Sequence, residues 1–154
     1  MRVEAPIKVD RKTKKLAKRL STGDIAVINH TDIDEVAANS LVECKIKLVI
    51  NAAPSISGRY PNKGPKILID NNILIIDNVG EKVFEDLKEG QIIEVNNGLI
   101  YRDGQLIGQG EVMDKSVVEQ KTKIAYENMS VELDRFIDNT IEYAKREKGF
   151  ILGE

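Results

Sequence analysis

KLVINAAPSISGRYPNKGP, residues 47–65, passes from an apolar run into a loop built of Gly, Pro, Ser and Asn. Leu48 to Ile50 read as a buried strand that Asn51 ends. The loop holds Pro54, Pro61 and Pro65 with Gly58 and Gly64, and Arg59 and Lys63 stand between them. Proline rings fix φ, glycines admit turns closed to other residues, and such loops turn amide N–H groups outward. The stretch reads as a rigid, anion-facing loop whose ligand contacts are Ser55, Ser57, Gly58, Arg59, Tyr60, Asn62, Lys63 and Gly64.

Working outward, Asp24 to His30 alternates and is rich in Ile and Val, so it reads as the first strand. Asp32 follows as a helix cap with Glu35 as its capping-box partner, and the helix runs to about Cys44, burying Val36, Ala37, Leu41 and Val42. Strand, helix and strand make a βαβ unit, whose parallel strands place His30 and Asn51 on one edge with the loop. Pro65 opens a second helix to about Asn71. Ile73 to Asp77 is then a third strand that brings Asp77 and Asn78 to the same edge, where open α/β sheets bind ligands.

The chain then changes character. A short helix spans Gly80 to Leu87, and three antiparallel strands follow, at Ile92–Val95, Leu99–Tyr101 and Leu106–Val112. Asn97-Gly98 and Asp103-Gly104 supply their turns. Between Asp114 and Gly149 there is no Gly or Pro, and Val118, Ala125, Met129, Leu133, Phe136, Thr140 and Tyr143 recur at spacings near three and four. This predicts a helix of about thirty residues, ~45 Å long. Such a helix overshoots a small domain and so acts as a connector or a dimer interface.

With 154 residues and 42% apolar content the chain suits one domain with an appendage. The expected division is a basic helical arm over 1–22, an α/β body over 23–113, and the connector helix over 114–154. No run is long and apolar enough to span a bilayer, and no signal peptide opens the chain, so a cytoplasmic address is expected. A lone Cys44 excludes an intramolecular disulfide. Net charge is −2, yet residues 1–20 carry eight cations against two carboxylates. A solvated face docking on the acidic body is the simpler reading, and the absence of interleaved aromatic residues weighs against nucleic acid.

No catalytic constellation emerges. His30, the one histidine, is either a base or ligand contact or a strand-end residue bonded locally, and the local reading is favoured. Asp32, Asp34 and Asp77 offer oxygen ligands, but capping accounts for the first two, so no metal site is assigned. Ser55 and Ser57 lack a nucleophile elbow, and GRYPNKG lacks the spacing of a phosphate-binding loop of nucleoside triphosphatases. Arg59, Lys63 and the start of the Pro65 helix remain as an anion site for a phosphate-bearing small ligand. The competing reading is a loop that merely closes the sheet edge.

GDIAVINHTDID, LVINAA, NNILIID and VGEKVFEDLKEGQIIEVNNGLIYRDG, in this order, resemble the swivelling phosphohistidine domain of phosphoenolpyruvate-utilising enzymes. That resemblance implies a swivelling-type β/β/α domain with a parallel βαβ core, an antiparallel meander and a long C-terminal helix. Lys63 falls where that family's histidine would stand, which argues against phosphotransfer. VDRKTKKLAKRL, VINAAPSISGRYPNKGP, DNVG and FIDNTIEYAKRE are similar to the amino-terminal region of SteA-like bacterial cytokinetic ring proteins, related to thiamin pyrophosphokinases. The missing histidine, the cationic loop and the over-long helix, taken with this resemblance, lead to the expectation of a non-catalytic regulatory or ligand-sensing domain with a division-associated protein partner. The alternatives it leaves are a protein-docking or homodimerisation module, or an accessory part of a thiamin diphosphokinase site. No cofactor is expected within these residues, since ATP and thiamin would belong to a following kinase-like domain.

Overall fold

The computed structural model describes residues 1–153. β1 (Arg2–Val9), α1 (Thr13–Ala17), β2 (Ile25–Ile28), α2 (Glu35–Glu43), β3 (Leu48–Asn51), α3 (Gly64–Asp70) and β4 (Leu74–Asp77) build a parallel sheet with helical crossovers. α4 (Glu81–Asp86) leads to β5 (Ile92–Asn96), β6 (Leu99–Arg102), β7 (Gln105–Gln109) and β8 (Glu111–Met113). α5 (Lys115–Leu152) closes the described chain. The strand order is β7-β6-β5-β1-β2-β3-β4-β8. This is the expected α/β class, with a parallel core, antiparallel strands and a long C-terminal helix.

Alternation along β2 shows how the layers arise. Ala26 and Ile28 face a core with Leu16 of α1, Leu41 of α2, Leu68 of α3 and Val118 of α5. Ile25 and Val27 face a second core with Phe84 of α4 and Ile93, Val95 and Ile100 of the antiparallel strands. All four β2 side chains are fully buried, each of the large ones contributing on the order of 1.5–3 kcal/mol. The result is three layers, antiparallel sheet on parallel sheet on helices.

β1 corrects the expected basic arm. Residues 2–9 form a central strand, so the strand at β2 is the second, and the helical part of the arm spans only Thr13–Ala17. Proline interrupts a continuous ladder, and Pro6 is tolerated here for a local reason. It sits where β1 changes partner: Arg2–Pro6 pair with β5 antiparallel, and Ile7–Val9 pair with β2 parallel. Four of the eight cations of this region pair with carboxylates of the body, as the simpler reading expects of the whole face, and Arg19 also pairs with Asp10 inside the region. Lys8 pairs with Asp24 at 2.8 Å, Arg19 with Asp10 and Glu89 at 3.0 Å each, Arg2 with Glu94 and Arg11 with Glu81.

Two further expectations are corrected. The third meander strand breaks at Gly110: residues 105–109 stay beside β6, while 111–113 cross to the far edge beside β4. One segment thus touches both ends of the sheet and curls it over the second core. A Cβ on Gly110 would lie 2.6 Å from the Asp77 carbonyl oxygen and 2.8 Å from an Ile76 methyl. Val36, placed in the core by the sequence, is 77% exposed, and Ala37, Ala38 and Leu41 form the buried face of α2.

α5 has 38 residues, about 57 Å at 1.5 Å per residue. Asp114 caps it by accepting from Val117 N at 2.9 Å, and only Val118 and Ala125 of its expected stripe are buried. No helix among the described residues is long and apolar enough to cross a membrane. Gly110→Ala should lower unfolding free energy by about 1–3 kcal/mol, the usual cost of overpacking. Urea denaturation reads it, and an unchanged midpoint would show that the edge-to-edge crossing tolerates a side chain.

Candidate functional site

The site is built where β2, β3 and β4 end. Asn51, fully buried, uses both ends of its amide. Oδ1 accepts from His30 N at 3.0 Å and Ala53 N at 3.1 Å, while Nδ2 donates to His30 O at 2.9 Å and Ser55 Oγ at 2.7 Å. Ser55, also fully buried, donates from its backbone N and its hydroxyl to Asp77 Oδ1 at 3.0 and 2.7 Å. A continuous polar chain therefore crosses three strands. Buried polar groups need such partners, because each one left bare costs about 1–3 kcal/mol.

The loop folds back on a second set of contacts. Asp32, at φ 55°, accepts from Ser57 N at 2.6 Å and from the Ser57 hydroxyl at 2.8 Å. It does not cap α2; that bond comes from Asp34, which accepts from Ala37 N at 2.7 Å. Both aspartates suit a helix start, but the loop captures the first of them. Asn62 Nδ2 donates to Ile33 O at 2.9 Å and Ser55 O at 2.8 Å. Gly64 N then donates to Ile33 O at 3.1 Å, and a Cβ at Gly64 would stand 2.2 Å from that oxygen. Only glycine fits there.

His30 is not an unoccupied base. Its Nδ1 shares a hydrogen bond of 2.8 Å with the Thr13 hydroxyl, the local bonding that the sequence favoured. Asn78, at φ 53°, is an exposed turn residue after β4. His30, Asp32, Ser55, Ser57, Asn62, Gly64 and Asp77 are thus brought together, each serving the backbone or a neighbour. Among the described residues no group of His, Cys, Asp and Glu could hold a metal ion.

The cations do not converge. Arg59 lies with its guanidinium 5.9 Å from the Tyr60 ring centre and lines a groove of about 390 Å³ with Gly58, Asn128, Val131 and Glu132. Lys63 lines another groove, of about 470 Å³, with Pro61, Ile67, Thr122 and Tyr126. α5 runs between the two. It is fastened there by Asn128 Nδ2, which donates to Gly58 O at 2.7 Å. Sequence reasoning placed Asn51 at this edge without giving it a role, and missed Thr13, Thr122, Tyr126 and Asn128, which carry no local signal.

The fold defines a three-layer β/β/α protein. No protein-family model matches the chain, and no curated protein is similar to it. Among solved structures, a crystal structure of 3-isopropylmalate dehydratase from Methanocaldococcus jannaschii aligns at 13% identity with a TM-score of 0.45, covering 88% of this chain and 99% of that one. A likeness this distant carries nothing about chemistry.

Burial raises the Asp77 carboxyl above its usual range, with the two Ser55 bonds and Lys121 pulling the other way. A carboxyl raised on folding contributes stability that is fully present below its unfolded value and lost as pH rises through the folded one. Asp77→Asn keeps an acceptor for Ser55 and removes the titration. The stability advantage of wild type over this variant should therefore be largest at acid pH and shrink toward neutrality. Urea titrations of both proteins from pH 3 to 7 check this, and a constant or growing difference would contradict it.

Proposed function

We propose that this chain is a non-catalytic module that presents α5 for docking and fixes its direction through the loop at 55–65. One observation carries the reading. At the sheet edge Asp77 is bonded to Ser55, Asp32 to Ser57 and His30 Nδ1 to Thr13, whereas the exposed large apolar side chains concentrate on α5, among them Leu133, Phe136, Ile137, Ile141 and Tyr143. Lys121 pairs with Glu111 at 3.1 Å and Asn128 bonds to Gly58, and C-terminal to Asn128 no hydrogen bond or ion pair among the described residues ties the helix to the body. The similarity to SteA-like proteins supports placing the module in a division-associated protein, with ATP and thiamin chemistry assigned to a following domain.

Arg59 favours a second reading, a loop that senses a phosphate-bearing ligand. Its guanidinium rests near Tyr60 and has no acidic partner among the described residues. The docking reading predicts a flat thermal-shift screen with phosphate, nucleotides, thiamin and its phosphates, and phosphoenolpyruvate. A ligand at a hundred times its dissociation constant would stabilise by about 2.7 kcal/mol, a shift of several degrees. Such a shift, lost in Arg59→Ala, would replace docking by ligand sensing.

A further inference from the structure

The exposed part of α5 has a pattern of its own. At 100° per residue, Tyr126, Leu133, Ile137, Thr140, Ala144 and Ile151 fall within about 40° of one line along the helix. Met129, Phe136, Tyr143 and Phe150 border the line on one side, and Glu127 and Lys148 border it on the other. Tyr126 is the inner end of the line and walls the groove that also holds Pro61 and Ile67. Phe150 and Ile151, near the outer end, are 84% and 77% exposed.

We infer that residues 126–151 pair antiparallel with the same segment of a second copy of this chain, each copy seating its Phe150–Leu152 end in the other's groove beside Tyr126. This rests on reading α5 as a docking element and names what docks. Three features select the occupant and its direction.

Side-chain size is the first. The line is large at Leu133 and Ile137 and small at Thr140 and Ala144. Antiparallel pairing sets Leu133 against Ala144 and Ile137 against Thr140, so knobs meet space; parallel pairing sets Ala144 on Ala144 and Thr140 on Thr140. The same register sets Tyr126 against Ile151, Phe136 beside Tyr143 and Met129 beside Phe150. The line therefore runs without a gap into the groove.

Charge is the second feature. Residues 127–138 hold four carboxylates and one arginine, and residues 139–148 hold three cations and two carboxylates. Antiparallel alignment opposes these halves and sets Glu127 beside Lys148, neither of which has an ion-pair partner in the single chain among the described residues.

Symmetry is the third. A two-fold pair satisfies both stripes and both grooves at once, so the association closes at two copies. A heterologous contact on the same surface would leave one stripe bare at each end.

The test uses the whole chain with Cys44→Ala, carrying either Leu133→Cys or Ala144→Cys. Mixed and oxidised, the two variants should form a disulfide-linked dimer, because facing seam positions bring Cα atoms within about 7 Å. Leu133→Cys alone should stay unlinked, since its counterpart would lie about 16 Å away along the axis, 11 residues at 1.5 Å each. Self-linking of Leu133→Cys would overturn the antiparallel direction. Sedimentation of wild type as a monomer at 100 µM would overturn self-pairing while leaving the flat ligand screen, and so the docking reading, standing. Ile151→Asp should weaken dimerisation at least tenfold with no change in the thermal midpoint of the body; undiminished dimerisation would remove the groove from the interface.

Discussion

The amide of Asn51 is the group on which the rest of this edge depends. Three parallel strands end side by side here, and Asn51, at the end of the middle one, is fully buried. Asn51 supplies both a donor and an acceptor to His30 and hands a donor on to Ser55. Ser55 then reaches Asp77. Because a half-satisfied buried network is worse than an apolar one, each of these residue types is constrained by the others. An edge that in other α/β proteins lies open to a ligand is here closed by the protein's own side chains.

Closure of the sheet imposes a second constraint. β1 must serve an antiparallel neighbour along its first half and a parallel neighbour along its second. The segment 105–113 must reach both outer strands. Both demands fall on residues that look like interruptions, Pro6 and Gly110. Proline has no N–H to waste at the changeover, and glycine lets the backbone pass against Asp77 and Ile76.

Those residues also explain what could be read from the sequence. The βαβ unit, the Pro65 helix and the Asn-Gly and Asp-Gly turns follow from local pattern, and the structure places them within a few residues of their expected bounds. β1 was illegible because its partners are distant in sequence and Pro6 and its charges imitate an arm. The break at Gly110 depends on a contact with β4 that no window includes. At the site, Asp32 and Asp34 offered equal capping chemistry, and the choice was made by Ser57, 25 residues from Asp32. The loop's place at the strand ends was legible; the divergence of Arg59 and Lys63 depended on where α5 passes.

The bond from Asn128 to Gly58 makes the loop the fulcrum of a lever. From Asn128 to Leu152 the helix runs on for about 36 Å at 1.5 Å per residue. A tilt of about 5° at that anchor would carry the far end roughly 3 Å sideways, more than half a helical turn. Motion too slight to disturb the polar chain at Asn51 would thus be magnified at the tip. The body can remain still while the end of the helix changes what it can reach.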